Sequence, residues 1–475
     1  MKNILVITEN ELLKWNFNGS ESISYGICGV SECNDERRFL VREPIIPADN
    51  NYSYRDSASA SVEGDFVYSV YELAHKRSLP CVAFIHTHPG KAFFSQKDDQ
   101  DAERHQKVVA DFGIKYYIRL VIGKDGLVAS VNSSNGSVPI DYILIYKTKG
   151  IEVVLPKNSD FRPVASLDYE LHNRTLQIGG GIDSALKTIR FLKFGVIGVG
   201  GGGSAFVNVL KFLGAKHFTL IDPDTLEKSN ANRFMGYHSG DEGKPKVDVI
   251  KRELLAYDSS MDVETIQEPF PSDNTEKALK NCDIIVTVPD HHWVRIKASE
   301  FAALHLKPLF SGGAGVYVTD DGMPYRISCS TWFQLPTPLG PCLKCLGIEA
   351  GLPPMYEQMV FEAKSSYIKG LINPGPTPAS VVTLHNQLGN LLARQILFYL
   401  SDISDKPVPL HLVYDEIPLR FENLTSLYDR IDGCNICGDK AFWGYGDYAP
   451  KLPNKEEIQD LSEVELPPLY DVSES

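Results

Sequence analysis

Residues 193–246 run in the order strand, glycine turn, helix, strand, acid, which restricts this part of the chain to one kind of unit. The apolar run Phe194-Gly195-Val196-Ile197 leads straight into Gly198-Val199-Gly200-Gly201-Gly202-Gly203-Ser204. A second apolar run at 206–213 and a strand-like 217–221 follow, closed by Asp222-Pro223-Asp224. A βαβ unit with a glycine-rich first turn is suited to hold a nucleotide. Gly198 permits the sharp turn, Gly200 lets backbone N–H groups approach a phosphate, and Gly203 lets helix and strand pack closely. Asp222, about 20 residues on, is placed to accept a hydrogen bond from a ribose hydroxyl. The pattern predicts an α/β domain of Rossmann-like type on a parallel sheet.

The glycine pattern alone would suit an NAD-dependent oxidoreductase, but the residues past Asp224 favour a different nucleotide. Ser229-Asn230-Ala231-Asn232-Arg233 and Gly243-Lys244-Pro245-Lys246 place the cations Arg233 and Lys246 and the Asn230 amide beyond the ribose acid. A diphosphate bridge needs no such cluster. A triphosphate attacked at its α-phosphorus does, because charge builds on the equatorial oxygens as pyrophosphate leaves. Gly198, Gly200, Gly203, Asp222, Asn230, Arg233 and Lys246 resemble the ATP site of the ubiquitin-activating and molybdopterin/thiamine-pathway (ThiF-like) adenylyltransferases. The resemblance implies that Arg233 and Lys246 neutralise phosphate charge. It also implies that Asp290, after the strand expected at 283–288, handles magnesium, with Arg295 at the family's interval. Arg174 would reach into the ATP site of a partner subunit, which implies a homodimer. His291, where the family commonly has asparagine, and His292 read as solvated or stacking side chains.

Residues 1–150 read as a separate α/β unit. Strands are expected at 4–8, 22–30, 38–47, 81–86, 116–122 and 127–131, and helices at 64–77 and 98–112. Its chemistry is concentrated in Ile85-His86-Thr87-His88-Pro89, followed by Ser95-Gln96-Lys97-Asp98-Asp99. Histidines at i and i+2 of a strand end project to the same side, so both imidazoles reach one metal. A nearby carboxylate supplies a third ligand and leaves a position for water. This HxHP with a downstream SxxD resembles the JAB/JAMM metallopeptidases, which cleave at the C-terminal glycine of ubiquitin-like proteins. The resemblance implies His86, His88 and Asp98 as ligands of a catalytic zinc, with Asp99 as fallback. Ser95 would help hold the oxyanion, and a glutamate on an earlier strand would be the general base. Glu43 has the strand and the bend for that role, and Glu32, Glu36 and Glu63 compete with it. The interval from His88 to Ser95 is one residue shorter than in many members.

The polar, proline-bearing 151–165 reads as a linker, 166–448 as the adenylyltransferase domain and 449–475 as an acidic tail. Cys342 and Cys345, with Cys434 and Cys437, make two CxxC pairs, four thiolates for a structural zinc knuckle. A redox CxxC needs no second pair. Between Leu346 and Gly433 the chain has no cysteine. Activating enzymes that pass cargo to a thiol carry one there, so direct hand-over, sulfide capture or an oxyester on Thr377 or Ser380 remain. Cys282 and Cys329 fit buried strand positions.

Lys plus Arg number 47 against 61 Asp plus Glu, a net charge of −14. That balance argues against nucleic acid as the main partner and suits a soluble, cytoplasmic protein. No apolar run approaches the ~20 residues of a membrane span, and the apolar start at 3–7 is too short for a signal segment. Nine cysteines, four of them in CxxC pairs, favour metal over disulfides. The combined reading is two chemistries on one ubiquitin-like partner. One is magnesium-dependent adenylation of its C-terminal glycine by ATP; the other is zinc-dependent peptidase or isopeptidase cleavage after that glycine. A bacterial ubiquitin-like conjugation pathway, with a conjugating-enzyme-like protein, is the favoured setting. Sulfur-carrier activation and processing for cysteine, thiamine or molybdopterin-type biosynthesis would use the same residues with a different acceptor. A non-catalytic adaptor for a ubiquitin-like protein is a further reading.

Overall fold

The computed structural model describes residues 1–9, 21–56, 59–162, 167–319, 323–348, 381–417 and 419–450. Thr377, Ser380 and all but the first two residues of the expected acidic tail lie outside them. Among the described residues two large sheets carry the chain, and no helix is long and apolar enough to cross a membrane.

The first sheet is built from β1 (Lys2–Thr8), β2 (Ile23–Cys33), β3 (Glu36–Ile45), β6 (Cys81–Thr87), β7 (Tyr116–Gly123), β8 (Gly126–Ser133), β9 (Gly136–Pro139), β10 (Tyr142–Tyr146) and β11 (Ile151–Val154). A separate hairpin joins β4 (Tyr52–Arg55) to β5 (Ala60–Val62), and two helices, α1 (Gly64–Lys76) and α2 (Gln96–Asp111), complete the unit. The strand order is β11-β10-β1-β3-β2-β6-β7-β8-β9. β10 reads Tyr-Ile-Leu-Ile-Tyr and every residue is buried, as in a parallel strand covered on both faces. β11 takes residues that the sequence reading assigned to a linker. It pairs antiparallel with β10, which satisfies backbone groups that β10 would otherwise leave open, so the first unit extends to Val154.

The second sheet follows α3 (Asn173–Leu176) and α4 (Ile182–Phe191). Its strands and helices are β12 (Lys193–Ile197), α5 (Gly201–Phe212), β13 (His217–Ile221), α6 (Lys246–Tyr257), β14 (Asp262–Ile266), α7 (Asp273–Leu279), β15 (Ile284–Thr287), α8 (His292–Leu304), β16 (Leu309–Val318), β17 (Pro324–Gln334), α9 (Val382–Tyr399), β18 (His411–Ile417) and β19 (Arg420–Asn423). The order is β14-β13-β12-β15-β16-β17-β18-β19. The expected parallel sheet holds from β14 to β16, and β17, β18 and β19 are antiparallel. For β16 and β17 the cause is connection length: the few residues between them can close a hairpin but not a crossover. Successive strands leave β12 on opposite sides, β13 on one and β15 on the other. That reversal opens a crevice at their carboxyl ends. α9 lies close on α5 because Gly389 has no side chain; a Cβ there would fall 2.6 Å from the Phe206 nitrogen.

The two sheets share a buried junction. Arg38 of β3 donates to the Asn281 carbonyl at 3.0 Å and the Cys282 carbonyl at 3.2 Å, and pairs with Asp283 at 3.0 Å. Lys307 donates to the carbonyls of Lys280 at 2.9 Å and Cys282 at 2.5 Å. Residues 439–448 then return across the first sheet. Arg42 lies over the rings of Trp443 at 4.3 Å and Tyr445 at 4.7 Å, and donates to the Trp443 carbonyl. Val30 bridges to Gly446. The backbones approach so closely that a Cβ on Gly29 would fall 2.1 Å from the Gly444 oxygen.

Candidate functional sites

The crevice beside β12 gathers most of the residues expected to hold a nucleotide: Gly198, Gly200, Asp222, Lys246 and Asp290 line one cleft. Gly198 has φ +87°, where a side chain is strained, and a Cβ on Gly203 would meet the Gly198 oxygen at 2.0 Å. Gly200 is different. A Cβ there meets nothing within 4 Å, so its space is open toward the N-terminus of α5, where a phosphate would be received. The Asp222 carboxylate accepts from the N–H of Val199 at 2.8 Å and of Asp224 at 3.0 Å. Each oxygen keeps a lone pair for a ribose hydroxyl. Burial raises the Asp222 carboxyl above its ordinary range, while Lys246 and the two N–H groups oppose the rise.

Lys246 at the start of α6 lies 2.7 Å from Asp224 and 3.9 Å from Asp222. Arg233 donates to the Ser229 carbonyl at 2.6 Å, and Asn230 accepts from the Glu227 N–H at 3.1 Å. Asp290 is exposed between β15 and α8. Arg295 is instead a structural tie: it is buried and donates to Ser311, Gly312 and Pro289. Arg174 is exposed on α3. His385 was not foreseen. Its ring packs on the first turn of α5, 2.9 Å from where a Cβ on Gly201 would be, within electrostatic reach of Arg233 and Asp290. It comes from α9, far along the chain, so no local motif marks it.

In the first sheet, a cavity of about 410 Å³ is lined by Glu21, His86, His88, Ser95, Asp98 and Arg119, among others. His86 Nε2 lies 3.1 Å from His88 Nε2 and 3.4 Å from Asp98 Oδ1. A tetrahedral ion with ligands at ~2.0–2.1 Å separates its ligand atoms by roughly 3.3–3.4 Å, close to both separations from His86, and the ligand atoms that lie within 4.8 Å of one another are those of Glu21, His86 and His88. His88 Nδ1 lies 3.3 Å from the Lys91 carbonyl, which selects the tautomer with Nε2 facing the cavity. Burial pushes His86 down to about 4, so its lone pair is available at neutral pH. Ser95 and Asp98 form a capping box at the start of α2. The Ser95 N–H donates to Asp98 Oδ2 at 2.7 Å, and Ser95 Oγ accepts from the Asp98 N–H at 3.2 Å. The box leaves Asp98 Oδ1 toward His86 and leaves the Ser95 hydroxyl proton free of the cap.

Two expectations are corrected here. Glu43 is not beside the histidines. It is paired with Ile27 of β2, which is opposite Val82, whereas His86 is opposite Ile23. That puts Glu43 about 13 Å down the sheet from His86, at ~3.3 Å per residue, and its carboxylate pairs with Arg77. The competitors are also elsewhere: Glu32 bonds Arg37 and Tyr116, Glu36 bonds Arg38, and Glu63 precedes α1. The carboxylate that meets both histidines is Glu21, two residues before Ile23; its ligand atom and theirs lie within 4.8 Å of one another. Burial, then the Asp98 charge, push the Glu21 carboxyl up to about 7. The second correction is Asp99, which accepts from Arg119 at 2.8 Å and is not a ligand.

Cys342, Cys345, Cys434 and Cys437 converge as a buried cluster. Sulfur separations are 3.7 Å for Cys342–Cys345, 3.6 Å for Cys342–Cys434 and 3.6 Å for Cys345–Cys437. A tetrahedral zinc with Zn–S of ~2.3 Å sets roughly 3.8 Å. Backbone N–H groups of Ile431 and Ile436 point at Cys345 and Cys434, both at 3.5 Å, as partners of thiolates do.

A glycine turn at a strand-order reversal, a cation-rich flank and a buried four-cysteine cluster mark an α/β protein with a crevice of the nucleotide-binding type. Residues 172–435 match the ThiF family, and the chain belongs to that family. It is 26% identical over 246 residues to the adenylyltransferase and sulfurtransferase MOCS3 of Dictyostelium discoideum, covering 52% of this chain and 51% of that protein. It is 29% identical over 253 residues to the sulfur carrier protein adenylyltransferase of Thermus thermophilus, covering 52% and 82%. The SAMP-activating enzyme E1 of Haloferax volcanii is 22% identical over 244 residues, covering 51% and 79%. The chain thus spans about half the length of the first relative. Among solved structures, MccB of E. coli aligns with TM-score 0.46 at 18% identity over 88% of this chain and 98% of that chain.

Proposed function

We propose that the protein adenylates the C-terminal glycine of a ubiquitin-like protein with magnesium-ATP and, in its first domain, cleaves the bond after that glycine with a zinc-dependent peptidase. The observation that carries the adenylation is the crevice beside β12, with Gly200 open toward the N-terminus of α5 and Asp222, Lys246 and Asp290 around it. There the α5 N-terminus would hold phosphate oxygens and Asp222 the ribose. Arg233 and Lys246 would release their local oxygen partners to neutralise the charge that develops at the α-phosphorus. Asp290 would hold magnesium. The glycine carboxylate attacks the α-phosphorus, forming an acyl-adenylate as the bond to pyrophosphate breaks. Arg174, exposed beside Tyr169, Leu171 and Ile178, would complete the site of a second copy.

In the first domain, zinc when bound supplies Lewis acidity and an acidified water. His86, His88 and Asp98 would hold it. Glu21 would take a proton at its carboxylate and pass it to the leaving amine, and the Ser95 hydroxyl would donate to the oxyanion. The domains would divide between residues 154 and 167.

The relatives named for sulfur carriers favour a second destination, in which sulfide captures the adenylate and the partner becomes a thiocarboxylate carrier. The adenylation step is common to both. Small glycine-terminated proteins encoded beside this one should support ATP–pyrophosphate exchange. Asp290→Ala should reduce exchange by at least about 100-fold, and exchange that persists in Asp290→Ala removes that assignment.

A further inference from the structure

Arg119 is a buried cation on β7, 6% exposed, that no step above uses. Strand register sets it opposite Phe84 of β6 and Ser130 of β8. Its guanidinium donates to Ser130 Oγ at 3.2 Å, to the Asp98 carbonyl at 3.2 Å and to the Asp99 carboxylate at 2.8 Å. It also lies 4.2 Å from the centre of the Phe94 ring. Phe94, Asp98 and Asp99 all belong to the turn that begins α2. The capping box that closes this turn contains Ser95 and Asp98. One side chain from the sheet therefore fastens this turn to the strand next to β6, which carries His86.

We propose that Arg119 is a positioning residue for the cation site: its planar fork sets the Asp98 carboxylate at the place where it can share an ion with His86 and His88. This rests on the metallopeptidase reading. Arg119 carries two effects of opposite sign. As a point charge it repels a divalent cation, so removing it would tighten zinc binding. As a fork it fixes the turn, so removing it would loosen the Asp98 ligand. The ion pair with Asp99 offsets the charge at short range, and the fork effect is the larger.

Zinc alone is the probe. Zinc per chain is counted on the full-length protein, and affinity is measured by competition with a chromophoric chelator. The wild-type chain should hold zinc at both the cysteine and the histidine sites, and His86→Ala at the cysteine site only. Arg119→Gln should bind zinc at the histidine site about 10–100-fold more weakly, the usual size of a loss beyond the ligands themselves. The cysteine site should not change. Arg119→Lys is the decisive variant, because it keeps the charge and loses the fork; it too should weaken zinc, by about 10-fold. Unchanged or tighter zinc in Arg119→Lys overturns the proposal, whether or not Arg119→Gln folds. A zinc count that His86→Ala leaves equal to wild type removes the metal site itself, and the proposal with it.

Discussion

The two sites are built from different material. The nucleotide crevice is mainly backbone: a glycine at positive φ, a second with open space above it, a third pressed on the first, and a helix N-terminus. The histidine site is side chains alone, brought together from the approach to β2, the end of β6 and the first turn of α2. A backbone site is contiguous in sequence and tolerates no added atom. A side-chain site is assembled by strand register and depends on the few atoms that converge and on the side chains that position them.

That contrast breaks if one added carbon is harmless in the crevice. Gly203→Ala should lose the folded second domain, since its Cβ would meet the Gly198 oxygen at 2.0 Å. Gly200→Ala should keep the wild-type melting temperature and lose affinity for magnesium-ATP, because its Cβ projects into open space. Calorimetry and nucleotide titration of the pair separate the two roles; equal melting loss in both contradicts them.

In the side-chain site, Glu21→Gln should reduce cleavage of a glycine-extended substrate by about 10²–10⁴-fold. Glu43→Gln should cleave as wild type, because Glu43 is held by Arg77. The reverse order would restore Glu43 as the base.

The smallest effect is at the junction. Burial first, then Arg38, push the Lys307 ammonium down to about 7. The folded protein therefore binds fewer protons at Lys307 than the unfolded chain, whose lysines titrate near about 10.4. This residue makes stability rise with pH from about 7 to about 10, and its contribution is constant below that window. Melting temperatures at both ends of the window should rise less in Lys307→Met than in wild type; parallel curves contradict the assignment.

Much of this was legible in the sequence, and unevenly. The glycine turn, β1, β2, β3, β6, β7 and β8 of the first unit and both CxxC pairs could be read because each is a local pattern, whereas β4, β5, β9 and β10 were not foreseen. β11 was taken for a linker because the edge strand Ile-Glu-Val-Val is short and lies next to a proline-bearing segment. The antiparallel end of the second sheet was missed because nothing in a strand's own residues states its partner's direction. Glu21 was missed for a register reason. It stands just outside a strand, and only the pairing of Ile23 with His86 brings it to the histidines. Arg119 and His385 share that condition, since each acts on residues distant in sequence.

Two separable chemistries on one terminal glycine are tested most directly by intact-mass spectrometry. The substrate is a candidate ubiquitin-like protein carrying extra residues after its last glycine, incubated with the protein, zinc and magnesium-ATP. Wild type should remove the extension and then add the mass of an adenylate. His86→Ala should do neither, and Asp290→Ala should trim without adenylating. An extension removed by His86→Ala, or a trimmed partner that wild type never adenylates, would contradict the account.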